Sequence, residues 1–167
     1  YYHNEKLQAA RKQGVVITTE MEVFFDLCPC KIYAVTGSDG KTTTTTIISE
    51  FLKAAGKTVY LGGNIGHPLL CDTPEIAPED MAGLELSSFQ LMTMEQSPHI
   101  AVVTNLSPNH LDYHHTMEEY VRAKKNIFLH QGPEDRLILN YDNAPTRALA
   151  REAACPVTFF SRQERLE

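Results

Sequence analysis

The chain has 167 residues, 43% hydrophobic and 22% charged, with a formal net charge of −6 at pH 7, which predicts one soluble globular domain. A negative charge without a basic cluster argues against nucleic acid or an anionic membrane as the main partner, and no apolar run is long enough to span a bilayer. The first residues lack the basic start and apolar stretch of a signal peptide, so we expect a protein of the cytoplasm. We also expect it to be a monomer.

Short runs rich in Val, Ile and Tyr alternate along the chain with longer segments of helical periodicity. This alternation predicts an α/β fold with a largely parallel sheet flanked by helices. The predicted strands are 15–17, 31–36, 58–61, 81–86, 100–104, 136–140 and 157–160. The predicted helices are 5–13, 20–27, 41–55, 89–95, 117–130 and 144–153. No repeat or linker divides the chain, so we expect a single domain over residues 1–167.

Four cysteines are spread over the chain. Their spacing matches neither a C-x-x-C redox pair nor a paired zinc site. We therefore expect reduced thiols at all of them, namely Cys28, Cys30, Cys71 and Cys155.

A glycine-rich turn joins the strand 31–36 to the helix 41–55, which is the context of a phosphate-binding loop. It consists of Thr36, Gly37, Ser38, Asp39, Gly40, Lys41, Thr42 and Thr43. The two glycines would let backbone N–H groups surround phosphate oxygens at the positive end of the helix dipole. Lys41 would reach the terminal phosphates, and Thr42 would bind Mg²⁺. Val35 stands where the common motif has its first glycine, and a tight turn with an unrelated lysine is the alternative.

The helix after this loop carries two kinds of residue on opposite faces. Ser49, Glu50 and Lys53 share the polar face. We expect the apolar face to pack on the sheet; its members are Ile47, Ile48, Phe51, Leu52 and Ala55.

Polar residues interrupt or follow the next apolar runs. Glu85 lies in the run 81–86 and is costly to bury unless it binds a cation. A Mg²⁺ ligand and an exposed salt-bridge partner are both compatible with it. Ser87 is typical of a helix N-cap. Asn64 lies in a glycine-rich segment that could approach a ligand or could be a plain turn.

Two residues in the second half of the chain have open interpretations. His110, in the polar loop 105–112, could bind a metal or substrate or lie in solvent. Lys124 falls in the middle of an apolar stripe of the helix 117–130. Such a lysine either extends its ammonium group to solvent or is desolvated, which lowers its pKa.

These segments together resemble the Mur ligase family, whose members join an amino acid to a growing peptide or folate chain at the expense of ATP. The resemblance lies in T-G-S-D-G-K-T-T at 36–43, G-N-I-G at 63–66, E-L-S-S-F-Q-L at 85–91, the loop 105–112, and Tyr120 with Ala123-Lys124. E-L-S-S-F-Q-L, and E-M-E-V-F-F at 20–25, look like the member that adds D-glutamate. Asp39 and Asn109 depart from the family pattern, which often has Asn and Asp there.

The resemblance implies a central ATPase domain that uses ATP and two Mg²⁺ ions, with a UDP-muramyl precursor and D-glutamate as the other small-molecule substrates. Lys41, Lys124 and His110 would be catalytic. The implied ATP-binding residues are Gly37, Ser38, Asp39, Gly40, Lys41, Thr42 and Thr43, with Asn140 and Asp142 near the base. The implied metal ligands are Thr42 and Glu85 for one Mg²⁺, and His110 and a carbamylated Lys124 for the other. The implied substrate-binding residues are Asn64, Ser87 and His110.

Family enzymes have an N-terminal UDP-binding domain, the central ATPase and a C-terminal amino-acid-binding domain, and this chain resembles only the central one. We therefore expect the isolated chain to fold and bind ATP weakly, without ligating. Another Mur ligase or a folylpolyglutamate synthase is one alternative. A nucleotide-binding regulatory module is the other, although a guanine-recognition motif such as N-K-x-D is not apparent.

Overall fold

The computed structural model describes residues 4–108 and 116–166. Within these residues, six parallel strands form one sheet in the order β2-β3-β1-β4-β5-β6. The strands are β1 Lys31–Thr36, β2 Val59–Gly63, β3 Met81–Glu85, β4 Ile100–Val103, β5 Arg136–Asn140 and β6 Val157–Phe160. The α-helices are α1 Glu5–Lys12, α2 Glu20–Leu27, α3 Lys41–Ala54, α4 Ser88–Leu91, α5 Met117–Lys125 and α6 Ala144–Ala148. The 3-10 helices are Leu69–Glu75 and Leu149–Glu152.

The predicted α/β fold with a parallel sheet is confirmed, with one strand fewer than expected. Residues 15–17 are irregular, and Val15 and Val16 are 51% and 86% exposed. Branched side chains favour a strand only where its backbone has a neighbour, and no described strand pairs with these residues. No helix in the described ranges is long and apolar enough to cross a membrane.

The helix predicted over 117–130 ends earlier, at Lys125. Turns follow it, and the Asn126 side chain donates to the backbone carbonyl of Leu91 at 2.8 Å. This hydrogen bond holds the turns that follow α5 against the end of α4.

The sheet is buried on both faces, which explains the nearly continuous apolar runs of its central strands. Ile32 and Ala34 of β1 belong to the main core, together with Phe24 of α2. Tyr33 points to the other face, where its hydroxyl meets the Ser49 hydroxyl of α3 at 2.6 Å. The core therefore lies mainly on the face of the sheet away from α3.

The expected orientation of α3 is wrong. Its fully buried residues are Thr45 and Ser49, whereas Ile47 and Phe51 are 48% and 71% exposed. The large Tyr33 side chain fills the space between β1 and the helix, so α3 turns its small hydroxyl residues to the sheet. Local periodicity also divided the helix incorrectly, because Ser49 of the predicted polar face is buried, whereas Ile48 and Leu52 are only half-buried.

The strand order places the phosphate-loop candidate at a crevice. After β1 the chain moves to β2 on one side of the sheet, and β4 lies on the other side of β1. Loops at the carboxyl ends of strands diverge at such a switch point and form the usual ligand site of open α/β sheets. The register puts Val35 beside both Glu85 and Val102.

Candidate functional site

The turn between β1 and α3 depends on its two glycines. Gly40 has a φ of 77° and is the residue that caps the amino end of α3. Gly37 has a φ of 147°, and a Cβ there would overlap the Thr104 hydroxyl at the end of β4. Both positions therefore require glycine, and the close approach of Thr104 fixes the path of the turn.

The end of β4 holds the tip of this turn. The Asn105 side chain accepts from the Asp39 amide at 3.1 Å and donates to the Asp39 carbonyl at 2.9 Å. The Thr104 hydroxyl donates to the same carbonyl at 2.7 Å, and the Ser38 amide donates to the Asn105 carbonyl at 2.9 Å. The loop is thus held by hydrogen bonds from a strand distant in sequence.

Two lysines converge on one carbonyl oxygen. Lys41 Nζ donates to the carbonyls of Gly37 and Ser38, both at 3.1 Å. Lys124 Nζ donates to the same Gly37 carbonyl at 2.9 Å and to the Thr36 hydroxyl at 3.0 Å. The two amino groups meet on one oxygen at the phosphate-loop candidate, and the positive charge of Lys41 there suits a polyanionic ligand.

Lys124 is 2% exposed, so its amino group does not reach solvent and the alternative of an extended surface lysine is wrong. Its Nζ lies 4.8 Å from the centre of the Tyr120 ring. Burial, and then the positive charge of Lys41, lower the Lys124 pKa from 10.5 to about 7, against the opposing effect of Glu85. At neutral pH a substantial fraction of this amine is therefore unprotonated.

Glu85 ends β3 and is 2% exposed, so the alternative of an exposed salt-bridge residue is also wrong. Its carboxylate accepts from the Thr42 hydroxyl at 2.6 Å and from the Asn64 amide at 2.9 Å. The ion pairs recorded among the described residues do not include Glu85. A carboxylate with an adjacent hydroxyl is the oxygen donor set that Mg²⁺ uses, so these residues fit the ion.

Among the described residues, no group of three or more His, Cys, Asp and Glu side chains could hold a metal ion. A Mg²⁺ ion at Thr42 and Glu85 would therefore complete its shell with phosphate oxygens and water, as Mg²⁺ commonly does. His110 and Asn109 lie outside the described residues, and the roles predicted for them stay predictions.

A cavity of about 310 Å³ lies next to Asn64, the residue that donates to the Glu85 carboxylate. It opens between the amino end of α2 and the segment after β2, and its lining includes Thr19, Glu20, Asn64, His67 and Gln90. Ser87 caps α4 and bonds Gln90 through a capping box, so the predicted N-cap is confirmed. The Asn64 side chain, which lines this cavity, donates directly to the carboxylate of Glu85.

The pair predicted near the nucleotide base lies at the end of β5. Asn140 donates from its side chain to the Thr104 carbonyl at 2.8 Å. Asp142 accepts from the Ser161 hydroxyl and from the Arg162 amide, and these bonds lower the pKa of its carboxyl group. Both side chains hold protein groups together, Asn140 supporting the same β4 end that holds the phosphate-loop candidate.

Thr104 was not singled out from the sequence, and the tertiary contacts of two loop residues, Thr36 and Ser38, were not predicted. Thr36 receives the Lys124 bond and itself donates to the Leu86 carbonyl at 2.8 Å. Ser38 contacts the Tyr120 hydroxyl at 3.0 Å. The sequence signal that could have indicated these residues is a threonine directly after each of two apolar runs, Thr36 after Val35 and Thr104 after Val103. The carboxyl ends of parallel strands meet at one end of the sheet, where the ligand site usually lies.

Comparison with protein families gives a match over residues 35–167 to the model described as "Mur ligase middle domain". A curated protein of Acetivibrio thermocellus, UDP-N-acetylmuramoylalanine--D-glutamate ligase, is 60% identical over 166 residues, which are 99% of this chain and 36% of that protein. The chain thus spans about a third of the length of the curated relatives it matches.

Solved structures show the same architecture. The structure titled UDP-N-acetylmuramoyl-L-alanyl-D-glutamate--2,6-diaminopimelate ligase aligns with a TM-score of 0.67 and 26% identity, over 82% of this chain and 33% of that one. MurF ligase from Thermotoga maritima, solved in complex with ADP, also aligns with a TM-score of 0.67, at 24% identity over 87% of this chain and 35% of that one.

Proposed function

Because this chain belongs to the Mur ligase family through its middle domain at residues 35–167, we propose that the full-length protein joins D-glutamate to UDP-N-acetylmuramoyl-L-alanine, with ATP converted to ADP and phosphate. The observation that carries the proposal is the convergence of Lys41 and Lys124 on the Gly37 carbonyl, beside the buried carboxylate of Glu85. The 60% identical relative of that name supports the choice of D-glutamate.

The triphosphate of ATP would bind at the turn of residues 36–43. The amino end of α3 favours negative charge, and Gly37 and Gly40 bring backbone close to the phosphates. Lys41 would exchange its bonds to the Gly37 and Ser38 carbonyls for phosphate oxygens. Asn105 and Thr104 would keep the loop in place during that exchange, because they bond its backbone from β4.

Thr42 and Glu85 would hold a Mg²⁺ ion, with Asn64 fixing the orientation of the carboxylate. Bound Mg²⁺ neutralises charge on the transferred phosphoryl group. Isolation of Glu85 from solvent strengthens its attraction for a cation, because few water molecules compete.

Lys124 has a second proposed role. An amine with a pKa of about 7 is partly neutral at physiological pH, and a neutral amine can add to carbon dioxide, releasing a proton and forming a carbamate. The carbamate would be an anion suited to a second Mg²⁺ together with His110. Restoration of ligation in Lys124→Ala by short-chain carboxylates would support this role, and full activity of that variant would contradict it.

The cavity lined by Asn64, His67 and Gln90 would accept the muramyl substrate, since it has both polar and apolar lining and is linked to Thr42 of the phosphate loop through Asn64 and Glu85. A carboxylate oxygen of that substrate would attack the γ-phosphorus of ATP, with ADP leaving and an acyl phosphate forming. The amine of D-glutamate would then attack the acyl carbon, expelling phosphate and losing a proton to give the amide. Positioning and neutralisation of charge supply most of the acceleration in such phosphoryl transfers.

The test is phosphate release by the full-length protein with ATP, UDP-N-acetylmuramoyl-L-alanine and a panel of amino acids. We expect release with D-glutamate and a hydroxamate product when hydroxylamine replaces it, because hydroxylamine captures acyl phosphates. Phosphate release with a different amino acid would support the ligase activity but would disprove D-glutamate as the substrate. Nucleotide binding without substrate-dependent turnover would favour a regulatory module.

A further inference from the structure

Cys28 and Cys30 lie together at the amino end of β1, at the opposite end of the strand from the phosphate loop. Cys28 caps the carboxyl end of α2 and is half-buried, whereas Cys30 is 3% exposed. Their Sγ atoms are 3.6 Å apart. All four cysteines of the described chain are free thiols, so this is a pair of reduced sulfurs in van der Waals contact.

The backbone between the two cysteines favours this contact. Pro29 disfavours helical geometry in the residue before it, and Cys28 has the extended φ and ψ of −68° and 116°. In an extended segment the side chains of residues i and i+2 point to the same side. The two sulfurs are therefore neighbours because of the short Cys28-Pro29-Cys30 sequence itself.

A disulfide requires sulfur atoms about 2.05 Å apart, so the pair must approach by about 1.5 Å. Cys30 is anchored in the core and its chain continues into the central strand β1. Cys28 lies half-exposed at a helix end, outside the sheet. Closure would consequently move Cys28 and the last turn of α2 towards Cys30.

We propose that Cys28 and Cys30 form a thiol-modification site that closes to an intramolecular disulfide by exchange with a small external disulfide. The thiolate of Cys28 attacks one sulfur of the external disulfide, which forms a mixed disulfide and releases one external thiolate. Cys30 loses its proton to the external thiolate released in the first step and attacks Cys28 Sγ, which releases the second external thiol as a thiolate. Two cysteine thiols are oxidised and one external disulfide is reduced.

The order of attack follows from exposure. Cys28 is accessible to the external reagent and Cys30 is not. Burial, and then the adjacent Cys28 thiol, raise the Cys30 pKa to about 12, with the Asp80 carboxylate adding to the effect. Cys30 therefore does not initiate the exchange. It is the thiol that attacks the mixed disulfide because its sulfur already lies 3.6 Å from Cys28 Sγ.

The bridge would be a reversible modification and not a structural support. Only Pro29 lies between the two cysteines, and so short a loop removes little freedom from the unfolded chain. Strain in a small ring also makes a disulfide easier to reduce. The site thus suits a cycle of oxidation and reduction.

The modification acts on a helix that borders the cavity. The cap and first residue of α2, Thr19 and Glu20, line the cavity, and its last turn leads to Cys28. Resting on the function proposed above, oxidation should change the KM for the muramyl substrate. The KM for ATP should not change, because Cys30 and β1 stay in place.

The test treats the full-length protein with oxidised glutathione, alkylates the remaining thiols and maps the peptides by mass spectrometry. In the wild type we expect loss of both thiols from the peptide with Cys28 and Cys30, without retained glutathione. Exposed Cys71 is a positive control, which should gain glutathione. Buried Cys155 is a negative control, which should stay a free thiol and be alkylated once the protein is unfolded. Cys30→Ser should stop at one glutathione on Cys28, and Cys28→Ser should leave Cys30 free.

Two outcomes would overturn the proposal. One is a Cys28–Cys30 peptide with both thiols still free when Cys71 is fully modified. The other is retained glutathione on wild-type Cys28 after prolonged incubation, as in Cys30→Ser. The wild-type map is decisive even if a variant fails to fold. An unchanged KM for the muramyl substrate in oxidised protein would overturn only the link to the cavity, and the peptide map needs no ligation assay.

Discussion

The two ends of β1 differ in the groups that meet there, although both ends have contacts from residues distant in sequence. At the carboxyl end, Thr36 and Gly37 are contacted by side chains of Lys124 and Thr104, from α5 and the end of β4. At the amino end, the sulfur of Cys30 meets Cys28, two residues away, and the Ile32 amide donates to His99 Nδ1 at 3.1 Å.

The difference follows from the direction of the strands. All six described strands are parallel, so the loops that follow them leave from one edge of the sheet. Polar residues from several distant segments meet at that edge, where they can surround a ligand. The opposite edge is mainly occupied by connections that enter strands, and its contacts serve stability and local chemistry. Variants at the two ends should therefore affect different measurements.

Lys41→Ala should have the largest effect, at the carboxyl end. Removing a cationic donor to the phosphoryl group should lower substrate-dependent phosphate release in the full-length protein by about 100-fold or more. Lys53→Ala is the matched control, because Lys53 is an exposed residue of the same helix paired with Glu50 at 2.9 Å. Equal activity of the two variants would remove Lys41 from the phosphate site.

Glu85→Gln should come next, since it keeps the shape of the side chain and removes its charge. We expect the Mg²⁺ concentration for half-maximal turnover to rise by about tenfold or more. The exposed Glu79 provides the control Glu79→Gln, for which the Mg²⁺ titration should match the wild type. A normal Mg²⁺ dependence in Glu85→Gln would disprove the assignment of this carboxylate as a ligand.

Lys124→Met tests the buried amine through the pH dependence of stability. The Lys124 pKa is about 7 in the folded chain and 10.5 ordinarily, so between these values the unfolded chain binds a proton that the folded chain has released. Stability of the wild type should therefore rise with pH relative to the variant, approaching about 1.4 kcal/mol per pH unit. The penalty for burying the charged amine is complete below pH 7.

Urea unfolding of the chain at about pH 7, 8 and 9 measures this difference. Lys57→Met, at an exposed lysine, should differ from the wild type by the same amount at each pH. A difference between wild type and Lys124→Met that is constant over this range would mean that Lys124 remains protonated.

His99→Ala should have the smallest effect and belongs to the amino end. It removes the acceptor of the Ile32 amide, which should lower the free energy of unfolding by about 1 kcal/mol and leave the KM for ATP unchanged. His130→Ala is the control, because His130 bonds Ser97 through its backbone amide. A raised KM for ATP in His99→Ala would show that the two ends of β1 are coupled.

Much of this architecture could be predicted because its signals are local. Alternating apolar runs and helical periodicity identified six described strands, and the glycines with Lys41 and Thr42 identified the turn after β1. The strand predicted at 15–17 failed because strand formation depends on a neighbour. The buried face of α3 was predicted wrongly because Tyr33, on another element, decides which side chains fit against the sheet.

Lys124 shows where local information ends. Periodicity placed it within an apolar stripe. A lysine at that position has the same sequence spacing whether its side chain extends to solvent or is buried, so the pattern could not distinguish the two. Its hydrogen bonds to Thr36 and Gly37 cross 88 and 87 residues of sequence. Only the packing of α5 against the sheet excludes water from the amine and lowers its pKa.

The sequence by itself determined the α/β class and the family, and it supplied the residues proposed for phosphate and Mg²⁺ binding, because residue type and short-range spacing carry that information. Tertiary structure decided which groups are desolvated and which meet. It placed two lysines on one carbonyl and buried Glu85 between Thr42 and Asn64. It also brought two cysteine sulfurs to 3.6 Å, since orientation and burial depend on partners that local spacing does not specify.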